Sequence, residues 1–244
     1  MASGMITSEL GLCPLAHLEA PVGIDELHEG MYRTNLPEIS SIPFAFIRGV
    51  KIASACPSDI DVLRGEETEL IGIMRSEERD CAYLLPGSHS KLIRTDADGR
   101  ICAFSTMLTG EMLFALSEQA ILKNAVDLHI SQTYRAYLLQ GYDACRQIGI
   151  NRALFKVRLL QTMLHCDPVQ IYNYFLGVVL CGEVEQILVC DASALIIGGK
   201  AQIKTAMAEI LQSRGNKRIL VLDEQEVAHS VARGAIRIFE HMAE

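Results

Sequence analysis

The spacing of hydrophobic and polar residues changes several times along the chain. Residues 1–60 carry short apolar runs interrupted by proline or glycine, which predicts short strands and loops. Between 66 and 76 the apolar residues fall on one face of a predicted helix. Residues 81–110 then predict three strands, joined by a tight turn near Pro86 and by a hairpin turn at 96–99.

The second half of the chain predicts helices first and then two strand–helix units. Apolar residues recur at three- and four-residue spacing over 111–183. The ending predicts strand 186–190, helix 200–215, strand 218–222 and helix 225–244. Two apolar strands with helical crossovers favour parallel pairing in an α/β sheet. This order of elements is that of a lobe in the actin-like (ribonuclease H-like) ATPase and sugar-kinase superfamily.

Composition excludes several classes of function. The net charge is −8, from 22 basic and 30 acidic residues without a basic block, so nucleic-acid binding is not expected. The eight cysteines form no C-x-x-C pair, which indicates a reducing, cytoplasmic setting and no metal cluster. The apolar run at 175–182 is too short to span a bilayer, and no signal peptide is expected at the start. A small molecule or a protein is the expected partner.

Residues 61–72, DVLRGEETELIG, place adjacent carboxylates at a predicted helix start. The positive end of a helix keeps Glu66 and Glu67 ionised, and an ionised carboxylate can accept a proton from a hydroxyl that attacks phosphorus. Arg64 could meet an anionic substrate group. The alternative is an ordinary acidic first turn with a solvated arginine, which composition alone favours.

Residues 84–92, LLPGSHSKL, crowd hydrogen-bond donors onto a tight turn. Gly87, Ser88 and Lys91 could grip phosphate oxygens through backbone N–H groups and an ammonium group. The alternative is a plain polar turn. Thr109 is expected to cap the next helix, and Thr7 and Ser8 follow a glycine near the start of the chain.

Together these stretches closely resemble the 2-dehydro-3-deoxygalactonokinase family. The resemblance covers nearly the whole chain in the right order. It rests on SGMITSELG at 3–11, RGEETELIG at 64–72, PGSHSK at 86–91, TMLTGEM at 106–112, and residues 175–195. It implies two actin-like lobes that transfer the γ-phosphoryl of ATP, with Mg²⁺, to the 6-hydroxyl of 2-dehydro-3-deoxy-D-galactonate in galactonate breakdown.

The resemblance also implies roles for individual residues. Glu66 becomes the expected catalytic base, with Glu67 second. The other expected contacts are Gly87, Ser88 and Lys91 with phosphates, Ser193 of the loop 190–195 with adenosine, and Thr7, Ser8 and Arg64 with the sugar acid. The expected division is a first-lobe remainder at 1–79 and a nucleotide-binding lobe at 80–244. The C-terminal helix is expected to pack back on the first lobe.

Two departures from the family pattern modify these expectations. Family members begin with a hairpin carrying an Asp-x-Gly-Thr-Thr-Asn phosphate motif, which this sequence lacks before Ala2. Asp191 stands where the adenosine loop usually has glycine. We therefore expect a truncated first lobe and weak activity of this chain alone. We also expect association with a second copy or with a chain that supplies the hairpin. The alternatives are a non-catalytic remnant, one half of a split kinase, or a kinase for another sugar.

Overall fold

The computed structural model describes residues 1–75, 80–119, 121–199, 201–215 and 217–241. A 3₁₀ turn spans Gly4–Thr7. The strands are β1 (Leu18–Glu19), β2 (Tyr32–Thr34), β3 (Phe44–Phe46), β4 (Val50–Ile52), β5 (Asp61–Leu63), β6 (Ala82–Leu85), β7 (Ser90–Thr95), β8 (Ile101–Met107), β9 (Ala194–Ile197) and β10 (Arg218–Val221). The helices are α1 (Ile24–Glu29), α2 (Glu66–Ile73), α3 (Thr109–Gln119), α4 (Arg135–Ile148), α5 (Ile150–Thr162), α6 (Pro168–Val189), α7 (Ala201–Arg214), α8 (Glu224–Ala228) and α9 (Ser230–Glu240).

The largest sheet has the strand order β10-β9-β6-β7-β8. Strands β6, β7 and β8 form an antiparallel meander, and β9 and β10 are added in parallel next to β6. A run of helices separates β8 from β9 in the chain. This order and these directions are those of an actin-like lobe, as the sequence predicts. In such a sheet the carboxyl ends of β6, β8, β9 and β10 meet at one edge.

One face of this sheet is covered by helices α3 to α7. Leu84, Leu195 and Ile197 project from the strands into a core formed with Phe175 and Leu180 of α6. Helix α6 begins with Asp167 capping the backbone N–H of Gln170 and Pro168 at the first helical position. The helix is buried along most of its length because α4, α5 and α7 surround it. It therefore serves as the central support of this half of the molecule.

The opposite face of the sheet packs on elements from both ends of the chain. Tyr83 and Ile196 point from the sheet into a second core that includes Leu63, Leu70 of α2 and Ile238 of α9. Helices α2 and α9 cross closely at a glycine pair, where a Cβ on Gly234 would overlap the carbonyl group of Thr68. The early segment (residues 1–75), the C-terminal helix α9 and the large sheet therefore share one core. The division of the chain at residue 79 stays a prediction.

The early segment itself forms two small sheets. One has the order β1-β4-β5, and the other pairs β2 with β3 in antiparallel fashion, as short strands and loops predict. Ala2 extends the second sheet through a parallel bridge to Phe46. No helix in the described part of the chain is long and apolar enough to cross a membrane.

Three predicted elements differ from the structure. The predicted strand 186–190 is wrong, because these residues continue α6 to Val189 and the strand lies later, at Ala194–Ile197. Helix α4 begins only at Arg135. Residues 121–134, which lie within the region predicted to be helical, form turns and loop instead. The last predicted helix is divided into α8 and α9 at His229. Lys200 and residues 242–244 of the predicted helices lie outside the described residues.

Two glycines of α6 provide a matched test of this packing. A Cβ on Gly177 would overlap the Leu138 carbonyl oxygen of α4, whereas Gly182 has open space. Gly177→Ala should lower the free energy of unfolding by about 1–3 kcal/mol through overpacking. Gly182→Ala should raise it by up to about 1 kcal/mol, because alanine favours helix. Urea denaturation of both variants checks this, and equal effects would contradict the described α4–α6 contact.

Candidate active-site cleft

Two chain segments meet at the carboxyl edge of the large sheet. The turn after β6, Pro86–His89, is the hairpin tip, and Gly198-Gly199 follows β9 and leads into α7. Gly199 has a left-handed φ of +70°, and a Cβ there would overlap the main chain of Pro86. Only glycine satisfies both conditions without strain. The two segments therefore lie against each other at this edge, with Gly87 and Gly199 half-buried.

The hairpin tip is fixed from its other side by the start of α3. The Ser88 carbonyl oxygen accepts hydrogen bonds from the backbone N–H groups of Gly110 at 3.0 Å and Glu111 at 3.2 Å. A Cβ on Gly110 would lie 2.7 Å from the Ser88 Cα atom and would also overlap the Gly87 carbonyl oxygen. His89 forms a 2.7 Å contact from Nε2 to Glu111 Oε1. The tip is thus held by backbone contacts on two sides.

Two cavities open on either side of the hairpin tip and share Gly87 and Ser88 in their walls. The apolar cavity has a volume of about 620 Å³. Its other lining residues are Gly110, Glu111, Leu113, Phe114, Ala115, Leu128, Tyr172, Gln202 and Ile203. The acidic cavity has a volume of about 400 Å³. Its other lining residues are Glu66, Glu69, Leu85, Pro86, His89, Gly199 and Val227.

Glu66 is the first residue of α2, and its carboxylate borders the acidic cavity. The backbone N–H of Arg64 donates to Glu66 Oε2 at 2.7 Å, and the Lys91 ammonium group lies 3.9 Å from Oε1. These contacts hold the carboxylate in place at the start of the helix. The side chain is 26% exposed, so it stays accessible to a ligand. The structure therefore brings Glu66 and the hairpin tip to one cavity.

Glu67 has a different position from Glu66. Its side chain is fully buried, where Oε2 accepts from the backbone N–H of Gly65 at 2.7 Å and Oε1 from the Thr68 hydroxyl at 3.0 Å. Burial raises the pKa of the Glu67 carboxyl to about 7. Glu67 is absent from the walls of both cavities. These contacts give it a role in fixing the start of α2 and do not favour it as a base.

Lys91 is buried behind the acidic cavity and does not line it. Its ammonium group donates to the Val62 carbonyl oxygen at 2.9 Å and to Thr106 Oγ1 at 2.7 Å. Thr106 in turn donates to Asp61 Oδ1 at 2.6 Å. This chain of contacts ties β5 to the large sheet and places a positive charge near Glu66. Two of the three ammonium donors are thus used within the protein, and the phosphate contact of Lys91 stays a prediction.

Glu69 is a cleft residue that the sequence reading missed. It lines the acidic cavity together with Glu66, which lies one turn earlier on α2. Burial and the neighbouring charge of Glu66 raise the pKa of Glu69 to about 7. The i, i+3 spacing of the two glutamates was the available signal, since such residues share a helix face. No group of three or more His, Cys, Asp or Glu among the described residues is arranged to hold a metal ion.

The residues expected to contact the sugar acid are also brought together. The Arg64 guanidinium group donates from Nη1 to the carbonyl oxygen of Thr7 at 2.6 Å. A Cβ on Gly65 would lie 3.2 Å from the Gly4 Cα atom, so the 3₁₀ turn lies directly beside the start of α2. The Thr7 and Ser8 side chains are buried and donate to carbonyl groups within the turn. Their contact with a substrate stays a prediction.

Ser193 is not brought to either cavity. It precedes β9, and its hydroxyl donates to the Asp80 carbonyl oxygen at 3.0 Å. The carboxyl end of the same strand carries Gly198 and Gly199, so Ser193 and Asp191 belong to the opposite edge of the sheet. Ser193 precedes the strand because the strand is Ala194–Ile197 and not 186–190. The contact of Ser193 with adenosine stays a prediction.

A buried carboxyl group supports the hairpin from within. Glu183 of α6 is 4% exposed, and its Oε2 accepts from the Thr109 hydroxyl at 2.6 Å. Burial raises the pKa of Glu183 to about 7. Because Thr109 opens α3, this bond links the central helix to the segment that holds the hairpin tip. Thr109 is thus the first residue of α3 and bonds a side chain of α6.

The raised pKa of Glu67 predicts a dependence of stability on pH. An ordinary glutamate pKa of 4.5 rises to about 7 on folding. The folded protein therefore binds more protons between these values, and the free energy of unfolding should fall as pH rises through that window. The slope attributable to one such group is at most about 1.4 kcal/mol per pH unit.

Urea denaturation of the wild type and Glu67→Gln at about pH 5 and about pH 7.5 tests this expectation. The variant should lose part of the pH dependence, since it has no proton to exchange at this position. An unchanged slope in the variant would show that Glu67 has the same pKa in both states.

Comparisons with known proteins agree on one family. Residues 1–236 match the family model described as 2-keto-3-deoxy-galactonokinase. The Rhizobium meliloti (strain 1021) protein named Probable 2-dehydro-3-deoxygalactonokinase DgoK1 is 31% identical over 176 residues, 67% of this chain and 56% of its own length. The Escherichia coli (strain K12) 2-dehydro-3-deoxygalactonokinase is 26% identical over 187 residues, 75% of this chain and 59% of its own. The chain thus spans less than two thirds of either relative.

A solved structure supports the fold independently. The crystal structure of a Sinorhizobium meliloti protein designated as a 2-dehydro-3-deoxygalactonokinase superposes with a TM-score of 0.80 at 22% identity. The superposition covers 98% of this chain and 79% of that one. The predicted actin-like α/β fold is therefore confirmed. Because the family match extends over nearly all of its residues, the chain belongs to the 2-keto-3-deoxy-galactonokinase family.

Proposed function

We propose that the protein transfers the γ-phosphoryl group of ATP to the 6-hydroxyl of 2-dehydro-3-deoxy-D-galactonate, a step of galactonate breakdown. One observation carries the proposal: Gly87 and Ser88 form a common wall between an apolar cavity and a cavity that contains Glu66. A nucleotide has an apolar base at one end and phosphates at the other. The paired cavities match this division of chemistry, and family membership names the acceptor.

The apolar cavity suits the nucleoside. Its volume of about 620 Å³ falls within the range of small-molecule sites, and its walls are mainly aliphatic and aromatic. Phe114 and Tyr172 offer ring surfaces, and the Gln202 side chain offers hydrogen bonds that could orient a base. In this assignment Gln202 and Ile203, in the first turn of α7, supply the adenosine-side contacts.

The hairpin tip and the loop after β9 suit the phosphates. Gly87 and Gly199 leave backbone exposed beside the acidic cavity, and the Ser88 hydroxyl can donate to a phosphate oxygen. The N-terminus of α7 follows directly, and a helix N-terminus favours an anion. Phosphoryl transfer depends mainly on positioning and charge stabilisation, so a rigid tip held on two sides fits this role.

Glu66 is the proposed base. Its carboxylate borders the acidic cavity, held by the Arg64 backbone N–H and by the charge of Lys91. From there it can accept the proton of the acceptor hydroxyl as that oxygen attacks phosphorus. Arg64, Thr7 and Ser8 lie on the adjoining side of α2, where we assign the carboxylate end of the sugar acid. Glu67 is left out of the proposed chemistry because it is buried.

Mg²⁺ fits the acidic cavity as the counter-ion of the phosphates. Magnesium sites in kinases use one or two carboxylates together with substrate phosphates. Glu66 and Glu69 are the two carboxylates that line the acidic cavity, and a cation bound between them would offset their combined negative charge. Glu69 is the proposed protein ligand, and Mg²⁺ supplies charge neutralisation. We assign the protein to the cytoplasm because its eight cysteines are all free.

Substitution of the proposed base gives the direct test. Glu66→Gln should lower kcat about 10²–10⁴-fold with little change in KM, because the amide cannot accept the proton. A coupled assay of ADP release with 2-dehydro-3-deoxy-D-galactonate measures both constants. Glu118→Gln, an exposed site on α3, is the matched control and should match the wild type. A Glu66→Gln enzyme as active as the wild type would overturn the assignment of the base.

Substitution behind the hairpin tip tests the phosphate assignment. Gly110→Ala should displace the tip, because the added methyl group would overlap Gly87 and approach Ser88. The Kd for ATP, measured by calorimetry, should rise about 10-fold or more, as lost contacts of about 1.4 kcal/mol imply. Gly149→Ala, in the α4–α5 turn, is unsuitable as the control variant, because Gly149 has a positive φ that would strain an alanine. Gly182→Ala, with open space around it, serves instead.

A further inference from the structure

Acidic side chains line both cavities, and they would repel an anionic ligand. The acidic cavity contains Glu66 and Glu69, and Glu111 is the charged residue in the wall of the apolar cavity. Among the described residues that line either cavity, His89 is the only one with a basic side chain. Lys91 is buried and bonded to Val62 and Thr106. A polyphosphate therefore meets mostly negative side chains at this edge.

His89 is paired with Glu111. The Nε2 atom lies 2.7 Å from Glu111 Oε1, and the two side chains are 49% and 57% exposed. A contact between side chains this exposed is screened by solvent, so it is easily broken. Glu111 also lies in the first turn of α3, where a helix favours a negative group. The pair thus places the Glu111 carboxylate beside the wall that the two cavities share.

We propose that His89 is a phosphate-binding residue and that Glu111 is its built-in competitor. This inference rests on the proposed function, because the anion in question is the phosphate chain of ATP. On binding, the imidazole exchanges the Glu111 carboxylate for a phosphate oxygen, which carries more negative charge and accepts hydrogen bonds better. His89 already lines the cavity assigned to the phosphates. The exchange therefore requires a side-chain rotation and no movement of the hairpin backbone.

The exchange discriminates between ligands. Adenosine carries no phosphate and has nothing to offer His89, so it leaves the His89–Glu111 pair in place. ATP pays the small cost of breaking the pair and gains a charge-assisted contact. His89 therefore favours phosphorylated nucleosides over adenosine, and the Glu111 carboxylate reduces this preference by the cost of breaking the pair.

Calorimetric titration of ATP and adenosine into four proteins tests the inference. The proteins are the wild type, His89→Ala, Glu111→Gln and the double variant. His89→Ala should raise the Kd for ATP about 3- to 30-fold and leave that for adenosine unchanged. Glu111→Gln should lower the Kd for ATP about 2- to 5-fold, because the competitor is removed. The double variant should bind ATP as His89→Ala does, since Glu111 acts only through His89.

Each other outcome has a defined meaning. If Glu111→Gln weakens ATP binding, the pair only stabilises the hairpin tip, and the inference is overturned. If Glu111→Gln tightens binding equally with and without His89, the effect is simple charge repulsion, and the exchange is overturned. ATP binding that neither variant changes overturns the inference while leaving the proposed function intact. A wild type that binds no ATP overturns both.

Discussion

The contact between the hairpin tip and the start of α3 is the constraint on which the cleft depends. Gly110 lies against Gly87 and Ser88 at a distance that excludes even a methyl group, and the Ser88 carbonyl oxygen binds two backbone N–H groups of α3. Unmet backbone groups at a helix start are costly when shielded from water, so this contact satisfies the helix and fixes the tip together. Both cavities exist because the tip is held between them.

Charge is the second constraint on the cleft. A protein with a net charge of −8 that binds a polyphosphate must find compensation locally. The structure supplies backbone N–H groups at the hairpin tip and at the start of α7. It also supplies Lys91, buried near Glu66, and His89 at the surface. Burial keeps Lys91 in place to position the base, whereas exposure leaves His89 available to a ligand. Lys91 and His89, two basic residues of one short motif, thus have different roles because of their different positions in the fold.

The sequence predicted the meander and most of the cleft, because local patterns encode them. The alternation at 81–110 and the turn residues between the strands sufficed for β6 to β8, and the acidic start of α2 pointed to Glu66. The strand before the adenosine-side loop was misplaced, because residues 186–190 are apolar in either state and belong to the long buried helix α6. Periodicity cannot separate a buried helix end from a buried strand. The contacts of buried Lys91 with Val62 of β5 and Thr106 of β8 are tertiary, and no local pattern records them.

Amide chemical shifts on addition of a non-hydrolysable ATP analogue with Mg²⁺ test the central claim most directly. The account predicts that the largest changes occur at Ser88, Gly110 and Gly199, which belong to the shared wall and the adjoining loop. Saturable changes at these amides would place the nucleotide across the hairpin tip. Changes that instead cluster around Asp25 and Arg100, at a separate cavity beside α1, would contradict it.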